Sequence, residues 1–502
     1  MTAVTTTRPE RKFTPHLYYS MTKSLCGVCK RSVDAKVLFR DGKVWFDKFC
    51  PEHGHQECAV ASSVEWYLDA LSFVAPNRPP KRISKPVSDE GCPFDCGACP
   101  SHQQKVYLPV VPITSACNLD CPICYTINKN EGAHVMSTDE MQTILRHLAE
   151  DHDELDIINF TGGEPTLHPQ LIDFLQMCRD AGIRRLTIST NGLKLKDEAY
   201  VRKLAALDAR IVLSLDTFRP ETDKILLGAN TVKHKLAALD LLEKYDVATT
   251  LLPAVATGVN DDEVGRLLEL VLAKPHIRSL ELHTLTFTGQ GGVGFQRTAR
   301  ITIPDLHRRI EEATAGRIKW KDFVPSPLAH PHCYSICYVL CLDGGGYVPF
   351  AQLLSRATLF ELLEDSLYIE PREKLETVFR DLIDRLWSDP DTIAESAAVL
   401  ETLKRLLNEM FPSGRALSIL ERQRIAERTV KAIYIHSHMD EENFDVARVM
   451  KCPVGVPQQD GGNIPTCSYN VLYRERDQRF ADPHMLQRMA ETRPVIALKE
   501  IM

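Results

Sequence analysis

Predicted strands alternate with predicted helices from Tyr107 to about residue 287, and this alternation restricts the fold more than any other feature of the sequence. The stretch "VYLPVVPIT" is an apolar run typical of a buried strand, and "MSTDEMQTILRHLAE" has the period and the serine cap of an amphipathic helix. The pattern repeats until six strand units are complete. Strands that alternate with helices form parallel sheets. We therefore predict an α/β fold, a partial (β/α)6 barrel whose active site lies at the C-terminal ends of its strands.

The composition indicates a folded protein that does not bind nucleic acid. Its 502 residues are 44% hydrophobic, which is enough for a sizeable core and about two to four structural units. The formal charge is -7 and the Lys and Arg residues are spread along the chain, so no basic stripe can neutralise phosphates. Neither a membrane-length apolar run nor a secretion signal is evident in the sequence. We expect a cytoplasmic protein with at most peripheral membrane contact.

The chain has 16 cysteines, and most of them lie in short CxxC-like groups. In a large chain without a secretion signal, such groups indicate metal binding rather than disulfides. The stretch "APNRPPKRISKP" has the composition of a linker after the first group. We predict four regions, namely an N-terminal four-cysteine metal-binding domain (1–90), a cysteine-rich auxiliary cluster segment (91–104), the partial barrel (105–295), and a largely helical, cluster- and substrate-binding C-terminal region (296–502).

Three cysteines, Cys117, Cys121 and Cys124, lie directly after the first predicted strand of the barrel. Thiolates bind zinc or iron–sulfur clusters, and a 4Fe-4S cluster normally takes four of them. Three neighbouring cysteines therefore leave one iron open, and a substrate or cofactor can bind that iron and receive an electron. A zinc knot is the alternative, although zinc knots rarely follow a barrel strand. Because the loop follows a strand, we expect the cluster at the mouth of the barrel.

The C-x3-C-x2-C motif after strand one and the "TGGEP" stretch after strand two together resemble the radical S-adenosylmethionine (radical SAM) superfamily. The resemblance covers roughly residues 105–290. It implies that Cys117, Cys121 and Cys124 are the catalytic, cluster-binding residues. In that family SAM chelates the open iron through its amino and carboxylate groups, and one-electron reduction splits SAM into methionine and a 5′-deoxyadenosyl radical. The radical abstracts hydrogen from unactivated carbon.

The resemblance also implies a set of SAM-binding residues at the ends of the following strands. The "GGEP" stretch matches the segment that binds the amino group of SAM, because glycines let the backbone approach and a carboxylate accepts from an ammonium group. The implied residues are Gly162, Gly163, Glu164, Pro165, Ser189, Asn191, Ser214 and Asp216. Capping of strand ends is the alternative role for Ser189, Asn191 and Asp216. The family often has an aromatic residue just before the last cysteine, whereas this chain has Ile123 there and Tyr125 one place after it.

A set of cysteines near the N-terminus predicts a mononuclear metal site. Four thiolates around one ion form the tetrahedral site expected for zinc or for a rubredoxin-like iron. The expected ligands are Cys26, Cys29, Cys50 and Cys58. Either of two nearby histidines, His53 or His55, is an alternative to the last cysteine.

Eight further cysteines equal the number that two fully ligated 4Fe-4S clusters require. They are Cys92, Cys96, Cys99, Cys333, Cys337, Cys341, Cys452 and Cys467. Two triplets and two single cysteines suggest that each triplet takes its fourth ligand from the C-terminal pair. If "CYSICYVLC" is one straight helix, its first and last cysteines lie about 12 Å apart, which is wide for one cluster. In that case either the helix is broken or its cysteines serve two different clusters. The alternative is that these cysteines are ordinary buried thiols that bind no cluster.

The cysteine groups, "GCPFDCGACPSH", "HPHCYSICY" and "HMDEENFDVARVMKC" occur in an order that resembles archaeal tetraether lipid synthases and their bacterial relatives over nearly the whole chain. Some of these were described as class D radical SAM methyltransferases that act on pterins. The resemblance implies carbon–carbon bond formation between lipid alkyl chains as the main function, with an apolar tunnel through the C-terminal half. The alternative is one-carbon (methyl) transfer to a pterin-like or other small substrate. A non-catalytic iron–sulfur electron carrier is a third possibility, which the intact "GGEP" opposes.

These resemblances imply a set of cofactors and partners. We expect one SAM-binding and two auxiliary 4Fe-4S clusters, SAM itself, and one mononuclear iron or zinc. The expected partners are a lipid or small-molecule substrate and reduced ferredoxin or flavodoxin as electron donor. Two histidines, His436 and His438, alternate at a predicted strand end. They are candidates to exchange protons with the substrate or to supply a ligand, although a purely structural role is the commoner alternative.

Overall fold

The computed structural model describes residues 15–86, 89–480 and 484–499. Its N-terminal part is a four-stranded antiparallel sheet with its strands in sequence order, followed by one helix. Side chains alternate between buried and exposed along the middle strands because one face of this sheet packs on the main core. The elements are β1 (Leu17–Leu25), β2 (Ser32–Arg40), β3 (Lys43–Cys50), β4 (Gly54–Ala61) and α1 (Val64–Leu71).

The six strand units predicted between Tyr107 and residue 287 form the centre of a second, larger sheet. Neighbouring strands of this centre pair in parallel, and helices connect most of them. The strands are β5 (Leu108–Thr114), β6 (Ile157–Gly162), β7 (Arg185–Thr190), β8 (Ala209–Leu213), β9 (Thr249–Leu251), β10 (Ala254–Val255) and β11 (Ile277–Thr284). One predicted strand is split into β9 and β10 at Pro253, which has no N–H to donate. The predicted partial barrel is confirmed.

The C-terminal region lengthens this sheet on both sides. The added strands are β12 (Val324–Pro325), β13 (Tyr334–Cys341), β14 (Tyr347–Pro349), β15 (Val430–His436), β16 (Val454–Pro457) and β17 (Asn463–Pro465). β15 pairs in parallel with β11 and β16 pairs in parallel with β5, whereas β13 and β17 pair antiparallel at the two flanks. The sheet does not close into a barrel, because its path ends at β12 on one side and at β17 on the other.

Helices cover the outer face of the central sheet and bury its apolar side chains. The first of them, α2, begins with a capping box in which Ser137 and Glu140 satisfy each other's backbone N–H groups. The helices of this part of the chain are α2 (Thr138–Asp151), α3 (Leu171–Asp180), α4 (Glu198–Ala206), α5 (Pro220–Leu227), α6 (Val232–Lys244), α7 (Val264–Ala273), α8 (Gly289–Gly294) and α9 (Ile303–Ala313), of which α5 and α8 pack at the carboxyl end of the sheet instead.

The C-terminal region is largely helical, as expected, and has a hydrophobic core of its own beside the strands β13 and β15. Its helices are α10 (Phe350–Leu353), α11 (Arg356–Leu362), α12 (Glu373–Ser388), α13 (Ser396–Met410), α14 (Ile419–Thr429), α15 (Val446–Met450), α16 (Thr466–Ser468) and α17 (Met485–Thr492). None of the helices in the described ranges combines the length and the hydropathy that a membrane span requires.

The stretch "YSICYVLC" is the strand β13 and not the helix considered above. It pairs antiparallel with β15, so that Tyr334 lies opposite His436. A short apolar run suits a buried helix and a buried strand equally well, and the tertiary pairing decides between them. Along a strand, each residue adds about 3.3 Å, so the cysteines of this stretch lie much farther apart than on a helix.

Candidate functional site

The loop between β5 and α2 carries Cys117, Cys121 and Cys124 at the carboxyl end of the sheet, and each of them is partly buried. Their three sulfur atoms do not all lie within 4.8 Å of one another. Burial and neighbouring thiolates raise the pKa of Cys117 to about 12 and the pKa of Cys121 well above its ordinary value. Three thiolates here need a bound cation, and their separation suits a multinuclear cluster better than a single ion.

A glycine-rich helix that the sequence analysis did not identify, α8, packs against the cysteine loop. The N–H of Gly291 donates to the carbonyl of Cys124 (2.7 Å), and the side-chain amide of Gln290 donates to the carbonyl of Cys121 (3.2 Å). A Cβ at Gly294 would lie 2.5 Å from a carbonyl oxygen of the loop. The backbones therefore approach as closely as only glycine permits. The signal in the sequence is "GQGGVG", with four glycines in six residues.

The "GGEP" stretch, residues 162–165, follows β6 and lies against the start of the cysteine loop. The N–H of Gly163 donates to the carbonyl of Thr114, and the N–H of Glu164 donates to the carbonyl of Ala116, both at 2.7 Å. A Cβ at Gly163 would lie 2.2 Å from the carbonyl oxygen of Ala116. Glycine is therefore required for this contact between the two loops.

The carboxylate of Glu164 is buried and links two neighbouring strand ends. Its Oε1 accepts from the N–H of Thr166 (3.0 Å) and from the hydroxyl of Thr190 (2.7 Å), and its Oε2 accepts from the N–H of Asn191 (2.8 Å). Burial raises the pKa of Glu164 in spite of these donors. The implied contact with the ammonium group of SAM therefore depends on Oε2, which has a free lone pair. Pro165 follows directly and starts one buried helical turn.

The other implied SAM-binding residues lie at the same end of the sheet. Ser189, near the end of β7, faces the lumen, and its hydroxyl donates to Oδ1 of Asn159 (3.1 Å). The side-chain amide of Asn191 donates to Oδ1 of Asn118 in the cysteine loop (2.7 Å). Ser214 directly follows β8, and its N–H donates to the last carbonyl of β7 (3.1 Å). Asn191 is thus in direct contact with the cysteine loop.

Asp216 forms a buried pair with Lys235, which the sequence analysis did not identify. Nζ of Lys235 lies 3.6 Å from Oδ2 of Asp216, and neither atom has a hydrogen-bond partner among the described residues. The other oxygen of Asp216 accepts from the N–H of Ala254 (2.8 Å). Burial raises the pKa of Asp216, and Lys235 opposes this shift. Lys235 also opposes the rise that burial causes in the pKa of Cys121, so an ammonium group with unused donors lies close to the cysteine loop.

At the N-terminus, three of the four cysteines form one compact group with a histidine. The ligand atoms of Cys26, Cys29, Cys50 and His53 all lie within 4.8 Å of one another. Nδ1 of His53 is 3.6 Å from the sulfur atoms of Cys26 and Cys50. Three cysteines and one histidine are a common ligand set of structural zinc sites.

The structure contradicts Cys58 as the fourth ligand of this N-terminal site. Cys58 lies in β4 with its side chain turned into the protein, and only 6% of the residue is exposed. Burial raises the pKa of its thiol to about 11, which favours an inert, protonated group. His55, the other alternative, is exposed and forms a hydrogen bond with Asp47 (2.9 Å).

A second group of thiols, Cys92, Cys96 and Cys99, encloses a cavity of about 140 Å³ together with residues of α15. Hydrogen bonding to Cys96, together with burial, raises the pKa of Cys92. The same hydrogen bond lowers the pKa of Cys96. Closely spaced thiols around a cavity make this segment a candidate cluster site.

A third group consists of Cys333, Cys452 and Cys467, which line one small enclosed cavity. The guanidinium Nε of Arg448 lies 3.3 Å from the sulfur of Cys333, and Nδ1 of His438 lies 3.7 Å from the sulfur of Cys467. Burial raises the pKa of Cys467 to about 11. A buried guanidinium beside three thiols would offset the negative charge of a thiolate-bound cluster.

The structure contradicts Cys337 and Cys341 as ligands of this third group. At about 3.3 Å per residue along a strand, they lie about 13 Å and about 27 Å from Cys333. Cys337 packs in the main hydrophobic core, and Cys341 lies near Lys431 at the opposite end of the sheet. The eight cysteines therefore form two groups of three rather than two groups of four.

Residues 111–271, which include the cysteine loop and the "GGEP" stretch, match the family model described as "Radical SAM superfamily". The chain carries a radical SAM domain. A second model, described as "HMPTM N-terminal zinc ribbon domain", matches residues 18–62 and so includes the compact site of three cysteines and His53. The resemblance proposed from the two sequence motifs is confirmed.

The chain is 28% identical over 493 residues to 7,8-dihydro-6-hydroxymethylpterin dimethyltransferase of Methanocaldococcus jannaschii, covering 92% of this chain and 96% of that relative. A "Probable GTP 3′,8-cyclase" of Saccharolobus islandicus is 29% identical over 218 residues, 43% of this chain and 68% of that relative. Among solved structures, SuiB of Streptococcus suis bound to its precursor peptide SuiA has a TM-score of 0.36 and 19% identity, covering 43% of this chain and 46% of that chain. The protein anSMEcpe with bound AdoMet has a TM-score of 0.32 and 18% identity, covering 42% and 62%.

The residues at the mouth of the radical SAM barrel fit a SAM-binding cluster. The cysteine loop offers three thiols, and the glycines of "GGEP" bring peptide groups close to its first residues. Nζ of Lys235 and Oδ2 of Asp216 have no hydrogen-bond partner in the described chain. Buried polar atoms without partners usually mark the place of a ligand, and this pair suits the carboxylate and ammonium groups of an amino acid.

A cavity of about 230 Å³ runs through the lumen of the radical SAM barrel. Its upper end, at the carboxyl ends of the strands, is lined by Tyr125 and His438, and its lower end by Arg185, Arg210 and Glu427. Side chains at alternate positions of the strands form the wall. Many of them are polar or aromatic, including Asn159, Thr187, Ser189, Thr250, Ser279, Glu281, Tyr334, Tyr338 and Tyr434.

The lower end of the lumen is closed by a fully paired set of charges. The carboxylate of Glu427 accepts from the guanidinium groups of Arg185 and Arg210, each at 2.7 Å, and from the amide of Gln423 (2.8 Å). Burial raises the pKa of Glu427, but the two arginines outweigh it and hold the pKa below its ordinary value. Every charge in this set has a partner, so this end of the lumen has a structural role.

The upper end of the lumen carries three histidines, and the sequence analysis did not identify one of them, His283. The ring of Tyr125 stacks on the ring of His438, with 5.1 Å between the centroids. Burial lowers the pKa of His436 to about 4 and lowers the pKa of His438 well below its ordinary value. Both imidazoles are therefore neutral near pH 7. No local pattern reveals His283, because its neighbours come from a strand about 150 residues later in the chain.

Proposed function

We propose that this protein is a radical SAM methyltransferase that acts on a pterin-like small molecule bound in the barrel lumen. The similarity to 7,8-dihydro-6-hydroxymethylpterin dimethyltransferase supports the proposal, because it spans 92% of this chain and 96% of the relative. Methyl transfer is the alternative named in the sequence analysis. The main expectation there, coupling of lipid alkyl chains, has no support from the comparisons.

The chemistry of the lumen wall is the observation that favours a small heterocycle over a lipid. Hydroxyl, amide and carboxylate groups line this cavity together with tyrosine rings and aliphatic side chains such as Val110, Ile157 and Val212, so a bound molecule would meet hydrogen-bonding groups that an alkyl chain cannot use. The amide of Asn159 and the hydroxyl groups of Thr187 and Ser189 form one hydrogen-bonded row on adjacent strands. Such a row can exchange hydrogen bonds with ring nitrogens and oxygens, while the tyrosine faces pack against a planar ring.

Each part of the upper end has a proposed task. The three thiols of the cysteine loop hold the cluster, which with SAM on its open iron supplies the 5′-deoxyadenosyl radical. Lys235 and Asp216 bind the amino acid part of SAM. Oε1 of Glu281 lies 2.9 Å from Nε2 of His283, and both side chains border the proposed substrate space at the upper end of the lumen. The paired charges at the lower end keep bulk water out of the lumen.

The proposal includes further cofactors and partners. Each of the two other three-cysteine groups would hold one auxiliary 4Fe-4S cluster, and the N-terminal site would hold one zinc or iron ion. Reduced ferredoxin or flavodoxin would supply electrons, and the protein would work in the cytoplasm. Iron and sulfide analysis of anaerobically reconstituted protein tests the count, with about twelve cluster irons expected.

The function is tested with reconstituted protein, a reductant, SAM and 7,8-dihydro-6-hydroxymethylpterin. Methylenetetrahydrofolate is added or left out, which decides whether the one-carbon unit comes from this folate or from a second molecule of SAM. We expect a mass gain of one or more methyl groups on the pterin. Asn159→Leu should raise the KM for the pterin about tenfold or more while leaving SAM binding unchanged, because a hydrogen bond in the lumen is lost. Extracted lipids are incubated in parallel. The proposal would be overturned if the mass of the pterin is unaltered and two lipid chains become joined with the loss of two hydrogen atoms.

A further inference from the structure

We propose that His283, His436 and His438, together with Glu281, form a mononuclear site for a divalent transition-metal cation at the upper end of the lumen. This site is distinct from the three thiol groups and from the N-terminal site. Its existence does not depend on which molecule accepts the methyl group, so it can be tested without a substrate.

The pairing of two strands brings the three imidazoles together. β11 and β15 are parallel, and His283 lies directly opposite His436 in their register. His438 follows two residues after the end of β15, and its side chain also lines the lumen. The ring centroid of His283 lies 5.0 Å from the centroid of His436 and 5.0 Å from that of His438. The centroids of His436 and His438 are 4.1 Å apart.

The separation of the ligand atoms suits one ion. One nitrogen of each imidazole lies within 4.8 Å of a nitrogen of the other two. Metal–nitrogen bonds of about 2.0–2.1 Å in a tetrahedral site place nitrogen atoms about 3.4 Å apart. Small side-chain rotations therefore bring the three nitrogens to bonding distance without any movement of the strands.

A carboxylate lies beside two of the three imidazoles. Glu281 lies two residues before His283 on the same face of β11, and its Oε1 is 2.9 Å from Nε2 of His283 and 3.7 Å from Nδ1 of His436. In the described part of the chain, its ion-pair partners are these histidines, with no Lys or Arg among them. A carboxylate in a protein interior needs a cation, and a divalent ion between it and neutral imidazoles would supply that charge.

The surroundings hold the rings in place and leave one side open. Tyr334 stacks on His436 with 3.8 Å between the ring centroids, and Tyr125 stacks on His438. Arg448, the nearest guanidinium, is bound to the sulfur of Cys333 and the carbonyl of Ser437, and so does not occupy the site. The cavity borders all four proposed ligands, so an ion there would have open positions for an oxygen or nitrogen of a bound molecule.

The ligand types indicate which ions would bind. Imidazole nitrogen with one carboxylate oxygen suits iron(II), cobalt(II) and zinc, whereas sulfur ligands are absent from this set. The Cys467 sulfur, 3.7 Å from His438, belongs to the neighbouring thiol group and gives the one competing role, in which His438 is a ligand of a cluster there.

The test uses the full chain with reconstituted clusters and a zinc-loaded N-terminal site, dialysed anaerobically against cobalt(II) chloride. We expect about one cobalt per chain, with nitrogen couplings from imidazole in its pulsed EPR spectrum. His283→Gln, His436→Gln and Glu281→Gln should each weaken cobalt binding about tenfold or more. The matched control is His276→Gln, a buried histidine just before β11 whose two nitrogens have no hydrogen-bond partner in the described chain.

Each outcome decides the proposal. Loss of cobalt in the three variants with full binding in the control supports the site, and iron content must be unchanged in all four. If a variant does not fold, the spectrum of the wild-type protein decides, since a cobalt ion with only sulfur ligands, or no cobalt at all, overturns the proposal. Loss of cluster iron in His438→Gln with cobalt still bound would also overturn it, because His438 would then be a cluster ligand.

Discussion

The two ends of the barrel lumen differ in how their buried charges find partners. At the lower end, the ammonium group of Lys431 donates to three carbonyls, including that of Ile277 (2.5 Å), and Glu427 binds two arginines at 2.7 Å each. At the upper end, Nζ of Lys235 and Oδ2 of Asp216 have no hydrogen-bond partner in the described chain. The carboxylate of Glu427 and the ammonium of Lys431 are therefore fully hydrogen-bonded without a ligand, whereas, among the described residues, Nζ of Lys235 and Oδ2 of Asp216 are not. This difference between the two buried carboxylate sites agrees with the proposed SAM site at the carboxyl ends of the strands and does not depend on the sequence motifs.

The largest effect is expected from Glu427→Gln, which breaks the paired end. The substitution leaves Arg185 and Arg210 buried without a counter-charge, and we expect a loss of about 3–5 kcal/mol in the free energy of unfolding. Denaturant unfolding measures it. Glu281→Gln at the upper end is the comparison and should cause a smaller loss, because the described neighbours of Glu281 are histidines and the substitution leaves no buried Arg or Lys among them without a counter-charge. Equal losses at the two ends would remove the contrast.

The same carboxylate gives a pH dependence with a definite sign. The pKa of Glu427 is held below its ordinary value in the folded protein, so its stabilisation is present above the unfolded pKa of about 4.3 and is lost as pH falls through the folded pKa. The difference in stability between wild type and Glu427→Gln should therefore be full at pH 6 to 7 and shrink in acid, as measured by unfolding at a series of pH values. A difference that grows in acid would contradict this assignment.

A smaller effect is expected when the two buried lysines are compared. Lys235→Met removes the unused donor beside the cysteine loop and should weaken SAM binding about tenfold to a hundredfold, the usual range for a hydrogen bond to a charged group. Lys431→Met should lower stability and leave SAM affinity unchanged. Equilibrium binding of SAM to reconstituted protein separates the two. If Lys235→Met binds SAM with unchanged affinity, the ammonium group of Lys235 does not contact SAM.

The smallest effect is expected from Cys341→Ala. Because this thiol lies about 27 Å along the strand from Cys333, we expect full iron content and a change in stability of less than about 1 kcal/mol. Cys333→Ala, the matched variant, should lose about four irons per chain if the proposed auxiliary cluster is present. Loss of iron in Cys341→Ala would show that Cys341 is a cluster ligand and would contradict its separation from Cys333 along the strand.

Local sequence patterns were sufficient for part of this molecule. The alternation of strands and helices predicts the parallel centre of the sheet, and the spacing of Cys117, Cys121 and Cys124 before "GGEP" predicts the chemistry at its carboxyl end, because all these signals lie within a short stretch. The features that the sequence did not predict depend on how distant strands pair in the folded protein. The run containing Cys337 has no period that separates helix from strand, and His283 meets its partners only through the register of β11 with β15.

The N-terminal site shows the same limit at a smaller scale. Counting cysteines favours Cys58 as the fourth ligand, but strand alternation in β4 turns this side chain into the core while the turn before β4 brings His53 to the other three. The sequence does not predict that β15 and β16 extend the sheet, since several helices separate both strands from the barrel along the chain.

The most direct test of the account is whether SAM binds and is cleaved at the open iron of the cysteine loop. Anaerobically reconstituted, reduced protein should change its EPR spectrum when SAM is added and should form 5′-deoxyadenosine. The variant with Cys117, Cys121 and Cys124 replaced by alanine should form none while it keeps the metal of its N-terminal site. A fully reconstituted wild-type protein whose spectrum is unaltered by SAM and that forms no 5′-deoxyadenosine would contradict the account.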